Sequence, residues 1–77
     1  MNIGDWVMYE ATHSGDKVVK LGKIRWVEPH WVDVAWYWSD DGFMGLNSTT
    51  NVMRKYCTVL TNEVAQVFLT ANKPKEL

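Results

Sequence analysis

The chain has 77 residues, enough for one domain with a thin core, and its aromatic residues are five Trp, three Tyr and two Phe. Eight Lys and Arg against nine Asp and Glu give a net charge of −1, which excludes a global cationic field for nucleic acid or anionic membranes. The apolar runs are short and the start lacks an export-signal pattern, so we expect no transmembrane helix and no signal peptide. A single cysteine excludes an intrachain disulfide and suggests a reducing compartment, so we expect a cytoplasmic protein.

Two strands are predicted in the first third of the chain. Residues Asp5 to Glu10 alternate in polarity, and a long polar loop from Thr12 to Asp16 follows them. A second strand covers Val18 to Val27, and its apolar phase changes after Gly22. A glycine at a phase change is typical of a bulge that bends a sheet toward a barrel.

The clearest strand is the segment 31–38, whose side chains alternate strictly between two faces. We expect Val32, Val34, Trp36 and Trp38 to face the core, together with Trp26 of the second strand. The opposite face carries Trp31, Asp33, Ala35 and Tyr37. The turn residues Asp40-Asp41-Gly42 then predict a tight hairpin into a strand over Phe43 to Leu46.

The last third of the chain predicts a loop, a short strand and a helix. A polar loop covers Asn47 to Asn51, a helical turn follows near Asn51 to Met53, and a fifth strand runs from Tyr56 to Leu60. Thr61 or Asn62 then caps a helix. Its apolar residues recur at helical spacing: Val64, Val67, Phe68 and Ala71. Because so short a helix does not persist alone, this stripe must lie on the rest of the domain or on a partner.

Five short strands, a long first loop, a bulged second strand and a helical turn before the last strand resemble the SH3-like small β-barrels of the KOW and Tudor type. The resemblance covers Ile3 to Leu60 and is carried by these residues: Gly4-Asp5 before Val7, Gly22 before Ile24 and Val27, and Val32, Val34 and Trp36. It implies one mainly-β domain with a five-stranded barrel over 1–60. The short C-terminal helix over 61–72 is an appended element that departs from the family pattern, and residues 73–77 form a tail. It also implies a binding module for proteins, modified peptide tails or nucleic acid.

The sequence contains few residue patterns that indicate a catalytic, metal-binding or cofactor-binding site. No nucleophile elbow places a Ser beside a base, and Asp40-Asp41 is explained by the turn, so we expect no enzyme. The available nitrogen and sulfur ligands, His13, His30 and Cys57, are isolated and lack metal-binding spacing. There is no glycine-rich phosphate loop either. We therefore expect no metal and no cofactor.

The aromatic residues carry the main functional hypothesis, which is protein recognition through an exposed patch. The first strand is expected to point Val7 and Tyr9 inward and Trp6 and Met8 outward. The residues of the predicted protein-binding patch are Trp6, Trp31, Asp33, Tyr37, Trp38 and Phe43. In the competing interpretation, the C-terminal helix covers this surface, with Val67 and Phe68 on Trp31 or Trp6.

Two further hypotheses stay open. A nucleic-acid-associated factor would use a local basic stripe made of Lys20, Lys23, Arg25, Arg54 and Lys55, although lysines that protect a solvated strand edge are the more ordinary explanation. A second copy of the chain is a third candidate to cover exposed Trp side chains.

Overall fold

The computed structural model of the chain describes residues 1–40 and 49–72, with only the backbone of His13. In chain order the elements are β1 (Trp6–His13), β2 (Asp16–Val27), β3 (Trp31–Ser39), β4 (Thr49–Met53), a 3₁₀ turn (Arg54–Tyr56), β5 (Cys57–Leu60) and α1 (Asn62–Ala71). The predicted strand over Phe43 to Leu46 lies outside the described residues. The prediction of a mainly-β chain with one C-terminal helix is confirmed.

All five strands form one antiparallel sheet in the order β4-β3-β2-β1-β5. A flat sheet of this width would separate its two edge strands by about 19 Å. The 3₁₀ turn bridges them in four residue steps, from Met53 to Cys57, which reach at most about 14 Å. The sheet is therefore strongly curled, although no ladder joins β4 to β5 among the described strands.

The inner, concave face of the sheet holds the main core. Its buried residues are Val7, Tyr9, Ala11, Ile24, Val32, Val34 and Trp36. Tyr9 and Trp36 meet across the intervening strand with ring centroids 5.8 Å apart. The predicted inward phase of β1 and of the first part of β3 is confirmed.

A second core lies on the outer face, where α1 covers β1 and part of β2. Trp6, Leu21 and Ala65 are buried there. The Trp6 indole Nε1–H donates to Asn62 Oδ1 at 3.0 Å, and the Trp38 ring meets the Phe68 ring at 4.9 Å. The helix therefore packs on the sheet of its own chain.

The buried stripe of α1 differs from the predicted one. Thr61 caps the helix, since its side chain accepts a hydrogen bond from the backbone N–H of Val64 at 3.2 Å. Ala65, Phe68 and Leu69 face the sheet, whereas Val64 and Val67 are exposed. The prediction that the two valines belong to the packing stripe is wrong, because the large rings of Trp6 and Trp38 select the neighbouring helix face.

Three local predictions about loops and turns are also wrong. The first hairpin has no long loop, because the strands meet at Ser14 and Gly15, whose φ values of 52° and 85° suit a two-residue turn. Residues 49–53 form β4 where a loop and helical turn were predicted. Trp36 Nε1–H donates to Thr50 Oγ1 at 3.1 Å and Val52 packs on the inner core, and both contacts favour an extended backbone. The helical turn lies three residues later.

Two β-bulges determine which face of the sheet Trp38 and Trp26 occupy. Between the pairs Leu21–Trp38 and Gly22–Trp36, β3 has one extra residue, Tyr37. The bulge at Gly22 is thus confirmed in position, but the extra residue lies in the partner strand. Because of it, Trp38 turns to the outer face, and its predicted place in the main core is wrong.

The second bulge lies in β2. Between the pairs Ile24–Val34 and Trp26–Asp33, the extra residue is Arg25. Trp26 is consequently shifted to the outer face, where 54% of it is exposed. Its predicted core position is therefore wrong as well.

Candidate binding surface

The helix leaves half of the outer sheet face uncovered, over β3 and its neighbours. Exposed side chains on that half are Trp26 (54%), Met53 (47%), Tyr37 (45%) and Trp31 (36%), and Asp33 lies among them, half-buried. We call Trp26, Trp31, Asp33, Tyr37 and Met53 the outer-sheet patch. Strand alternation and the two bulges bring them to one face.

Trp26 stands directly opposite Asp33 on the neighbouring strand. Its indole Nε1–H donates to Glu28 Oε1 at 3.1 Å. This bond fixes the orientation of a ring that is otherwise open to solvent. An oriented ring loses little conformational entropy when it is covered by another molecule.

Trp31 begins β3 and pairs with Met53 of β4. Its backbone carbonyl accepts a hydrogen bond from the Glu28 N–H at 2.9 Å, which closes the turn between β2 and β3. The Arg54 guanidinium also donates to the carbonyl of Glu28 at 3.1 Å. The turn that carries Trp31 is therefore braced from two sides.

Tyr37, the bulged residue of β3, lies at the other end of the patch. Its ring stands edge-on to Trp6, with centroids 4.9 Å apart and an interplanar angle of 63°. Five residues of β3 lie between Tyr37 and Trp31, which places them six residue steps, or roughly 20 Å, apart. The patch thus runs along β3 to the border of the part that α1 covers.

The Asp33 carboxylate of the patch and the Glu28 carboxylate beside it form no ion pair with any described residue. The ion pair between Lys17 and Glu10, 3.2 Å long, lies near the first hairpin. The chain places lysines over three other rings: Lys20 over Trp36, Lys23 over Trp6 and Lys55 over Tyr56. No such contact reaches Trp26, Trp31 or Tyr37 within the described ranges.

The structure brings together part of the predicted protein-binding set. Trp31, Asp33 and Tyr37 share the outer-sheet patch. Trp6 is only 5% exposed beneath α1, so its predicted exposure is wrong, and Trp38 is half-buried against Phe68. Phe43 lies outside the described residues.

Sequence reasoning missed two residues of the patch. The apolar pattern predicts a core position for Trp26, because a bulge at Arg25 leaves no mark in that pattern. It predicts a helical turn at Met53. The proximity of Met53 to β-branched Thr49, Thr50 and Val52 is the signal that could have placed it in a strand.

The predicted basic stripe is not one surface. Lys20 lies over Trp36 of the inner core and Lys23 over Trp6 of the outer one, so they occupy opposite faces of β2. Arg25 is the extra residue of a bulge, Arg54 hydrogen-bonds the β2–β3 turn, and Lys55 lies over Tyr56. These five cations therefore lie on both faces of β2 and on the 3₁₀ turn.

Cys57 has a structural environment. Burial raises the pKa of its thiol to about 11, so the thiol stays protonated at neutral pH. Its Sγ donates to the Met53 carbonyl at 3.7 Å, across the 3₁₀ turn. Burial, with smaller contributions from Cys57 and Tyr56, also raises the pKa of Tyr9.

Within residues 1–40 and 49–72, no three His, Cys, Asp or Glu side chains are grouped closely enough to hold a metal ion. The same residues contain no helix with the length and apolarity needed to cross a bilayer. No protein-family model, curated protein or solved structure matches the chain.

Proposed function

We propose that the chain is a non-catalytic binding module, an adaptor that recognises a protein partner through the outer-sheet patch. The observation that carries this proposal is the exposure of three large rings and a methionine on a braced, antiparallel sheet. Trp and Tyr in such positions are the residues that dominate protein interfaces, because they supply contact area at low entropic cost. We also propose a reducing, cytoplasmic location, which the single cysteine and the resulting lack of an intrachain disulfide support.

We further propose that the curled sheet is an SH3-like small barrel. The strand order β4-β3-β2-β1-β5 and the 3₁₀ turn between the edge strands support this assignment. Members of that superfamily serve mostly as binding modules, which agrees with the proposed function.

The patch has the size expected of a contact site. A Trp or Tyr ring contributes about 150–250 Å² when it is fully covered. Three rings at roughly half exposure leave on the order of 300 Å² of aromatic surface, before Met53 is added. This is the order of area of the largest apolar patches on monomeric proteins, about 300–600 Å², which are often functional.

Affinity capture with matched variants tests the proposal. The bait is the tagged full chain, which captures partners in its native host. It is used in three forms: the wild type, the double variant Trp26→Ala/Trp31→Ala and the control Val64→Ala/Val67→Ala. Both pairs remove exposed apolar side chains, one from the sheet and one from α1. We expect a protein partner that the wild type and the helix control retain and that the sheet variant loses.

Circular dichroism and thermal unfolding of each bait ensure that folding is comparable, since exposed side chains contribute little to stability. A captured set that is the same for all three baits would contradict a role for the patch. A partner lost only from the helix control would move the contact site to α1.

A further inference from the structure

We propose that the partner enters the outer-sheet patch with a basic side chain, preferably arginine, which lies between Trp26 and Trp31 above the carboxylate of Asp33. This inference rests on the proposed function and specifies the chemistry of the partner. Its occupant is one extended peptide segment of another protein.

The register sets the spacing of the three side chains. Trp26 is the direct cross-strand partner of Asp33, which brings their Cβ atoms to about 5 Å. Trp31 lies two residues before Asp33 on the same face, so Trp26 and Trp31 are diagonal neighbours, with Cα atoms about 7–8 Å apart. This spacing puts both indoles within reach of one guanidinium, which contacts a ring at about 3.5–4 Å.

The chain leaves these rings without a cation of its own. Lys23, Lys20 and Lys55 each lie within 4.8–5.5 Å of another ring centroid, so cation–π contacts are frequent in this small protein. Trp26 and Trp31 have none among the described residues. Trp26 lies opposite Asp33, which forms no ion pair with a described residue, and it donates its indole N–H to the Glu28 carboxylate.

Neither Arg25 nor Arg54, the two arginines near the patch, forms an ion pair with Asp33 or Glu28. Arg54 donates to the backbone carbonyls of Glu28 and Pro29, at 3.1 and 3.4 Å, and so braces the turn instead of pairing with a carboxylate. Arg25 is exposed at its bulge and forms no ion pair with Asp33 or Glu28. A cation from outside therefore has both rings and the Asp33 carboxylate available.

The charge of the patch favours a segment of another protein over a second copy of the chain. Two patches packed face to face in a two-fold dimer would bring the two Asp33 carboxylates together without a cation, because the patch contains none. An extended segment of another protein can instead supply one basic side chain to the rings and the carboxylate. The braced turn and the oriented indole of Trp26 lower the cost of ordering the site.

Peptide titration followed by NMR tests the inference. The probes are four blocked hexapeptides, identical apart from one central Arg, Lys, Gln or Glu, added at millimolar concentration to the ¹⁵N-labelled full chain. The indole N–H signals of the five Trp report on the rings separately, and Trp26→Phe and Trp31→Phe assign two of them. We expect the Arg and Lys peptides to shift the Trp26 and Trp31 signals with saturation, and the Gln and Glu peptides to bind at least fivefold more weakly.

Charge removal supplies the second arm. Asp33→Asn keeps the shape of the side chain and should raise the Kd of the Arg peptide about three- to fivefold, as expected for a partly exposed pair. Asp16→Asn, at the far end of β2, is the matched control and should leave the Kd unchanged.

The outcomes separate the two proposals. Equal binding of the Gln and Arg peptides at Trp26 and Trp31, with no effect of Asp33→Asn, would overturn the preference for a basic side chain. Protein recognition by the patch would still stand. Absence of any shift at these indoles with the Arg peptide would overturn this inference. If affinity capture also found no partner that the variant Trp26→Ala/Trp31→Ala loses, the proposed function would fail as well.

Discussion

Gly22 controls how closely β3 approaches β2. A Cβ atom built on it would lie 2.6 Å from Val34 Cγ1 and 2.9 Å from Trp36 Cε3, and it would also overlap the Ala35 carbonyl oxygen. These distances are far below van der Waals contact. The missing side chain lets the Trp36 ring lie over the strand and reach Tyr9 in the inner core.

We expect Gly22→Ala to lower the free energy of unfolding by about 2–4 kcal/mol, because either the backbone of β3 or the Trp36 ring must move. Urea denaturation followed by circular dichroism measures the change. Gly15→Ala is the control, since a Cβ there meets no atom within 4 Å and only the positive φ of 85° opposes it, at about 1–2 kcal/mol. If Gly22→Ala lowered the free energy of unfolding less than Gly15→Ala does, the inferred crowding around Gly22 would be refuted.

The element that depends most on its neighbours is α1. Ten residues are too few for a stable isolated helix, so its folding relies on the contacts of Ala65 and Phe68 with the sheet and on the Trp6–Asn62 hydrogen bond. In return, α1 shields Trp6 from solvent. The helix thus divides the outer face into a covered core and the exposed outer-sheet patch.

We expect Ala65→Glu to undock α1, because a carboxylate would be forced against Trp6 and Leu21 without a partner. Stability should fall by about 3 kcal/mol or more, and the Trp fluorescence should shift to the red as Trp6 becomes wet. Val67 is 70% exposed, so Val67→Glu should leave the free energy of unfolding within about 0.5 kcal/mol of the wild-type value. Equal effects of the two substitutions would show that Ala65 does not face the sheet.

At the scale of the whole molecule, charge is balanced and dispersed. The net charge is −1, and the five cations of the predicted basic stripe are distributed over both faces of β2 and the 3₁₀ turn. Binding to a phosphate backbone needs several cations that act together on one surface.

We therefore expect fluorescence anisotropy to show no binding of single- or double-stranded oligonucleotides at micromolar protein, at either low or high salt. The competing hypothesis requires affinity at low salt that falls steeply as salt rises, because neutralised phosphates release counterions. Such a salt dependence, lost in the variant Lys23→Gln/Arg25→Gln, would establish nucleic-acid binding in place of the proposed function.

The inner core could be predicted from the sequence because strict alternation fixes which face a side chain takes. Val7, Val32 and Val34 follow that rule, and the Thr61 cap located the helix. The outer face could not be predicted in the same way. The bulges at Arg25 and Tyr37 depend on how two strands match in length, and each reverses the face of every residue beyond it. Trp26 and Trp38 both lie beyond such a point.

The pairing of β1 with β5 has a consequence for the order of folding. Trp6 is opposite Leu60 and Tyr9 is opposite Cys57, so this ladder joins residues about fifty positions apart, whereas β1, β2 and β3 form a meander of local contacts. Closing a long loop costs more entropy than closing a hairpin, so we expect the meander to form first and β5 to join it last. On the ribosome, β1 would then keep an open edge until Leu60 has emerged, and α1 could cover Trp6 only afterwards.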